Sequence, residues 1–165
     1  MRKLFLAGVA SLALAASATS AMSADTQLAG FVTPVCEVDI SSLLLDFGVD
    51  PVSGDIAASD VDVQCNDIDG ATIQLRSAEG GLESDDFEDF NINYTASLFE
   101  AASGIDLTLI TVGGAGPNDQ TAEQVVPGSV ELRDGQIAEL TVELNGTPTW
   151  AGGYSDTLSV EITAN

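Results

Sequence analysis

The spacing of apolar residues is the strongest constraint on the fold, because apolar and polar residues alternate along most of this chain. In the stretch 158–163 every second residue is apolar: Leu158, Val160 and Ile162. Such alternation is typical of a β-strand with one face on a core and the other in water. The same period predicts strands at 60–65, 72–76 and 140–145, with further strands at Thr26–Thr33, Leu43–Phe47, Asn91–Phe99, Leu107–Val112 and Val125–Leu132.

Turn residues separate these segments. Asp69-Gly70 and Asp134-Gly135 lie between alternating stretches, where we expect hairpin turns that need a positive φ. No segment with helical period and useful length follows the N-terminal region, and no linker divides the chain. About eight short strands spaced in this way predict an all-β fold, an antiparallel β-sandwich.

The N-terminus has the layout of a secretory signal peptide. Arg2 and Lys3 precede an uncharged, mostly apolar run from Leu4 to Ala16, and small residues follow. The run is too short to span a bilayer, which needs about 20 apolar residues. We therefore predict export with cleavage after Ala21, or after Ala24, and no membrane insertion of the mature chain. A permanent N-terminal anchor is the less favoured alternative.

The charge of the mature chain excludes two kinds of partner. After removal of the signal peptide, Arg76 and Arg133 are the only basic residues beside 26 acidic ones. A chain this acidic repels nucleic-acid phosphates and anionic membranes. Its 45% hydrophobic content argues against disorder, so the charge is best interpreted as a solvated surface.

Two cysteines, Cys36 and Cys65, remain in the mature chain. In an oxidising compartment a single pair is most simply a disulfide. Closing this loop is expected to contribute roughly 3–4 kcal/mol, less any strain. A zinc or redox site lacks support, because the chain has no histidine and the cysteines are not in a C-x-x-C pair.

No residue is marked for catalysis, metal binding or cofactor binding, so we predict that the protein is not an enzyme. Without histidine, a Ser-His-Asp arrangement is impossible, and nothing distinguishes a particular carboxylate pair. We interpret the acidic run Glu83–Asp89 as a solvated loop rather than a calcium site. Trp150 and Tyr154 are expected to close one end of the core rather than to stack on a ligand.

The order of several short motifs resembles a known family. Those motifs are Val35-Cys36-Glu37-Val38, Leu45-Asp46-Phe47-Gly48, Val61-Asp62-Val63-Gln64-Cys65, Asn93-Tyr94-Thr95-Ala96-Ser97-Leu98-Phe99 and Ala151-Gly152-Gly153-Tyr154-Ser155-Asp156-Thr157-Leu158. This series is similar to the spore coat protein U family, which includes pilin subunits of the archaic chaperone–usher pathway. The resemblance covers nearly the whole mature chain.

The resemblance implies an immunoglobulin-like sandwich that lacks one strand. In such families a periplasmic chaperone first supplies the strand, and the N-terminal extension of the next subunit then replaces it. Here residues 1–21 would be the signal peptide, 22–34 the extension and 35–165 the pilin-like domain. The candidate donor strand comprises Leu28, Ala29, Gly30, Phe31 and Val32.

The implied function is that of a structural subunit of a surface fibre that supports attachment or biofilm formation. Its partners would be copies of itself or related pilins, a periplasmic chaperone and an outer-membrane usher. It would pass through the periplasm to the cell surface. The alternatives are a monomeric secreted or coat protein with a complete sandwich, and a carbohydrate- or calcium-binding module.

Overall fold

A computed structural model describes residues 27–41, 44–86, 90–113 and 119–165. The predicted signal peptide and both of its cleavage sites lie outside these residues. The chain divides into two units, Met1–Val32 and Thr33–Asn165. In the first unit the described residues 27–32 are exposed and have no regular secondary structure. Within the described ranges, no helix is both long and apolar enough to cross a membrane.

Strands account for nearly all of the regular secondary structure in the second unit. The described residues form β1 (Cys36–Ile40), β2 (Ile56–Cys65), β3 (Ala71–Ser77), β4 (Leu82–Ser84), β5 (Asn91–Ile92), β6 (Tyr94–Glu100), β7 (Ile105–Ile110), β8 (Gln120–Val126), the helix α1 (Val130–Asp134), β9 (Gln136–Leu144), β10 (Tyr154–Ser155) and β11 (Leu158–Ala164).

The strands form two main sheets and one small sheet. The five-stranded sheet has the order β1-β2-β9-β6-β7, and the three-stranded sheet has the order β11-β3-β8. The small sheet has the order β10-β4-β5. Every pairing is antiparallel. The predicted all-β antiparallel sandwich is therefore confirmed.

The predicted alternation decides which side chains form the core. On the central strand β3, Ile73 and Leu75 are fully buried, whereas the intervening Gln74 is only partly covered. Val61 and Val63 of β2 are equally buried, and Asp62 between them is exposed. One face of each sheet thus packs against the other sheet, as a period of two requires.

Two of the predicted turns have a different role in the structure. Residues 66–70 connect β2 of the five-stranded sheet to β3 of the other sheet, so Asp69-Gly70 is not a hairpin turn. Gly70 has the expected positive φ of 95°, and a Cβ added there would lie 2.0 Å from the carbonyl oxygen of Val126. The predicted hairpin at Asp134-Gly135 is also wrong, because this pair ends a helix.

The helix α1 corrects the expectation of strands alone. The predicted strand Val125–Leu132 ends at Val126, and Val130–Asp134 is helical. The Ser129 hydroxyl accepts a hydrogen bond from the backbone N–H of Leu132 at 3.0 Å, as a helix N-cap does. Leu132 is buried, so tertiary packing also stabilises this single turn.

Four other predicted strands differ from the structure. The described parts of two, residues 27–33 and 44–47, are not assigned as strands. The predicted strand Asn91–Phe99 is broken at Asn93, whose side-chain oxygen accepts a hydrogen bond from the Gly113 N–H at 2.8 Å. The predicted strand Leu107–Val112 corresponds to β7, which begins two residues earlier, at Ile105.

Candidate functional site

The sandwich has one closed side, where β7 and β8 end their respective sheets. The Gln124 side chain donates to the carbonyl of Gly104 at 2.9 Å and accepts from the N–H of Asp106 at 2.9 Å. The Gln120 side-chain oxygen accepts from the N–H of Val112 at 3.1 Å. Two glutamine amides thus join the sheets at this side, and the inward residues of β7 are buried.

The opposite side, where β1 and β11 end the two sheets, differs in burial and pairing. Among the described residues no backbone ladder joins β1 to β11. The inward side chains Val38 and Ile40 of β1 are only half-buried, as are Leu158 and Ile162 of β11. Apolar side chains that point inward from these two strands are therefore incompletely covered.

The segment 44–47 runs beside this open side. Leu45 and Phe47 are half-buried and pack against the core, whereas Leu44 and Asp46 are exposed. The segment therefore has the alternation of a strand, although no sheet includes it. The described part of the predicted strand, residues 44–47, has the right pattern of burial but is not assigned as a strand.

Between this segment and the beginning of β11 lies a cavity of about 310 Å³, which we call the edge groove. Tyr94, Leu140 and Val142 contribute to its lining although they belong to the buried core. The groove is thus an opening into the core, and it is flanked by two extended segments. The residues that line it are Ile40, Leu44, Leu45, Phe47, Leu82, Tyr94, Leu140, Val142, Asp156, Thr157 and Leu158.

Asp156 organises one end of the edge groove. Its Oδ2 accepts hydrogen bonds from the hydroxyls of Ser77 at 2.6 Å and Tyr94 at 2.7 Å. Its Oδ1 accepts from the backbone N–H groups of Glu79 at 3.0 Å and Thr157 at 2.6 Å. Burial is the main cause that raises the pKa of Tyr94, and the adjacent Asp156 carboxylate adds to it. Asp156 therefore fixes the start of β11 to β3 and β6.

The structure contains the predicted disulfide between Cys36 and Cys65. The two residues face each other in the ladder of β1 and β2, with their Cα atoms 4.0 Å apart. One residue beyond, the N–H of Asn66 donates to the carbonyl of Val35 at 3.1 Å, and the Asn66 side chain accepts from the N–H of Val35 at 2.7 Å. The first residue of β1 is thus fixed covalently to the interior strand β2.

The candidate donor strand lies in the first unit, ahead of the disulfide. Leu28 is 94% exposed, and Phe31 and Val32 are 86% and 80% exposed. No strand includes these residues, and neither Ala29 nor Gly30 is covered. Three large apolar side chains are therefore fully available to a partner surface. The role of this segment as a donor strand stays a prediction.

The aromatic residues near the C-terminus differ from expectation in part. Tyr154 is half-buried and packs against the core, as predicted. Trp150 is 57% exposed, so the prediction that it closes the core is wrong. Trp150 and Phe90 form an edge-to-face pair with ring centroids 6.3 Å apart. The physical reason is that residues 148–153 form an outer turn rather than a strand, which holds the indole away from the two sheets.

The acidic run contacts the turn at Gly152 and Gly153, which we call the glycine turn, through a hydrogen bond from the Asp85 N–H to the Gly153 carbonyl at 2.9 Å. Glu83 and Ser84 belong to β4, so the interpretation of the run as a loop is wrong for these two residues, and residues 87–89 lie outside the described residues. The carboxylate of Asp85 lies over Gly153, where an added Cβ would come within 2.0 Å of its Oδ2. Across the described ranges, no group of three or more potential metal ligands is present.

Comparison with known proteins gives no match to any family model, to any curated protein or to any solved structure.

Proposed function

We propose that the protein is a structural subunit of a surface fibre, assembled by the addition of a strand from a neighbouring subunit or chaperone. The observation that carries this proposal is the edge groove, where core residues are accessible between segment 44–47 and β11. An extended chain placed there could pair with β11, which lies at the edge of its sheet. Main-chain hydrogen bonds would give affinity, and alternate side chains would fill the opening.

The energetic argument is that an uncovered core edge is costly. Each large aliphatic side chain that remains exposed forgoes up to about 1.5–3 kcal/mol of burial. Val38, Ile40, Leu158 and Ile162 are all half-buried at this side. Covering them fully would recover roughly 1–3 kcal/mol, which is a noticeable share of the 5–15 kcal/mol that stabilises a typical domain. An isolated subunit should therefore be weakly stable or prone to associate through this edge.

The exposed segment 27–33 fits the role of the added strand. Its sequence, Gln-Leu-Ala-Gly-Phe-Val-Thr, contains no charge in a chain with 26 acidic residues. The exposed side chains of the two edge strands include Glu37 and Asp39 of β1 and Glu161 of β11. A neutral apolar segment can approach these acidic strands without the repulsion that an acidic strand would meet.

Self-complementation tests the proposal. We would append a copy of residues 27–33 after Asn165 through a flexible linker and compare this protein with the unmodified one. If the groove accepts the segment, the melting temperature should rise by roughly 10 °C or more, and the protein should elute as a monomer. The matched control carries the same appended segment with Leu28, Phe31 and Val32 of the copy replaced by Asp, and it should give no increase.

The competing interpretation is a complete, monomeric sandwich. It predicts that the unmodified protein melts cooperatively as a monomer, forms no fibres, and is unaffected by either appended segment. That result would overturn the fibre proposal. A third outcome, equal stabilisation by the apolar segment and its Asp-substituted control, would attribute the effect to the linker and would count against strand addition.

A further inference from the structure

A second cavity lies beside the glycine turn and has a different chemical character. It is a cleft of about 660 Å³ between residues 44–51 and residues 148–156, with Leu82 and Ile92 also in its lining. Its lining includes three aromatic rings, Phe47, Trp150 and Tyr154. We call it the aromatic cleft.

Trp150 is held at the mouth of this cleft while much of its ring remains in solvent. The Tyr154 hydroxyl donates to the Trp150 carbonyl at 3.0 Å, which closes the turn. Phe90 packs edge-to-face against the indole, with an interplanar angle of 78°. An indole that is 57% exposed gains little from core burial. Its neighbours nevertheless restrict its orientation, so the ring forms a preorganised surface.

The charges around the cleft are all of one sign. No Lys, Arg or His is among the lining residues, whereas Asp46 and Asp50 contribute carboxylates from one wall. Asp85 and Asp86 lie against Gly153 and Gly152 of the opposite wall. Anionic ligands are therefore repelled, and charge complementarity selects a positively charged occupant.

We propose that the aromatic cleft binds an organic cation, with an alkylated ammonium group seated against the Trp150 ring. A cation over an aromatic face is attracted by the ring quadrupole, and Trp is the strongest partner of this kind. The apolar floor would cover the methyl or methylene groups, and the carboxylates would complement the charge. A neutral sugar could also stack on the indole, but it would gain nothing from the acidic field.

The site does not depend on the proposed fibre function, although the two cavities share Leu44, Leu45, Phe47, Leu82 and Asp156. Trp150, Asp50, Gly152 and Gly153 line only the aromatic cleft. The self-complemented protein described above, in which the groove would be filled, can therefore be used for the same binding measurement. If cation binding is lost only in that protein, the two cavities are coupled. If it persists, the ligand site stands apart from assembly.

Fluorescence of Trp150 provides a direct test, because it is the only tryptophan of the chain. The probe is choline, and the comparisons are its uncharged isostere 3,3-dimethylbutan-1-ol and glucose. Choline should change the emission in a saturable way, with a dissociation constant about tenfold lower than that of the isostere. Raising the ionic strength should weaken choline binding and leave the isostere unaffected.

Two variants separate a site from a general effect of acidity. Asp50 has a φ of 57°, a conformation that Asn also tolerates, so Asp50→Asn should keep the loop and weaken choline binding about threefold. Asp62→Asn, on the exposed face of β2, removes the same charge and should leave binding unchanged.

Trp150→Leu tests the contribution of the aromatic ring. Calorimetric titration of this variant should show no choline binding, while its melting temperature changes by only a few degrees.

Several results would refute the proposal. Equal affinity for choline and its neutral isostere would show that the cleft binds apolar groups without any contribution from the charge. A saturable response to glucose that exceeds the response to choline would make it a neutral-sugar site. Equal losses in Asp50→Asn and Asp62→Asn would show only a diffuse attraction to the acidic surface.

Discussion

Replacement of Asp156 by Ala should be among the most destabilising single changes at the surface of this protein. The variant loses an acceptor that receives four hydrogen bonds, two from the hydroxyls of Ser77 and Tyr94 and two from backbone N–H groups. Ser77 and Tyr94 are buried, so their hydroxyls cannot simply turn to water. Hydrogen bonds to a charged group contribute about 1.5–3 kcal/mol each when intact.

The expected loss is smaller than the sum of these contributions. Asp156 is itself half-buried, so water can replace part of the network, and we expect a loss of roughly 3–5 kcal/mol. For a domain of this size the melting temperature should fall by about 10–20 °C. Asp156→Asn should cost less, because its remaining oxygen can still accept from the backbone N–H groups of Glu79 and Thr157.

Differential scanning calorimetry and urea titration of the purified protein would measure these differences. Asp62→Ala is the matched control, because it removes an exposed Asp from β2 and should change stability by less than about 0.5 kcal/mol. If Asp156→Ala were as mild as Asp62→Ala, the four contacts would be energetically replaceable. The argument that Asp156 fixes the start of β11 would then be refuted.

Two further predictions concern pH and salt. Burial raises the pKa of Tyr94 above its ordinary value of 10.0, so the protonated phenol contributes stability that is complete below pH 10 and is lost as the pH rises further. The melting temperature should therefore fall above pH 10, and it should fall less steeply in Tyr94→Phe. Asp60 and Glu139 face each other across β2 and β9, so Glu139→Lys should raise stability by about 0.2–1 kcal/mol in low salt. Thermal melts from low to high ionic strength should show that difference shrinking, and a difference independent of salt would contradict it.

The sequence was sufficient to predict the strands that are covered on one face. In β3 and β11 the alternation predicts both ends of the strand to within one residue. In β2 and β9 it predicts only the C-terminal part, because each strand begins four residues before the predicted segment and has an exposed apolar residue there, Ile56 or Ile137. The disulfide was also predictable, since the protein has only two cysteines. These features depend on local pattern and on composition, which a single sequence carries in full.

Features that depend on connectivity could not be predicted in the same way. Asp69-Gly70 has the composition of a hairpin turn, but the next strand pairs in the other sheet. The apolar residues Val130 and Leu132 fit a strand as well as a single helical turn, and the Ser129 cap was the available signal for the helix. Neither distinction is encoded in residue spacing alone.

The candidate site was predictable only in its parts. The alternation at Leu45 and Phe47 is visible in the sequence, but the opening into the core beside this segment is a property of the assembled sheets. Similarly, the sequence predicts a core position for Trp150, and its exposure becomes evident only from the position of its turn outside the two sheets. Sequence reasoning missed the aromatic cleft, because its walls come from segments about 100 positions apart, 44–51 and 148–156.

The position of the disulfide has a mechanical consequence. A tensile load that enters the domain from residue 35 reaches Cys36 first, at the very beginning of β1. Without a cross-link, β1 could peel from β2 one hydrogen bond at a time, which requires little force at each step. The covalent bond to Cys65 instead transfers the load to β2, which is paired on both sides, by β1 and by β9. Under tension the sheet must then yield as a unit, so reduction of this one bond should convert a stiff domain into an extensible one.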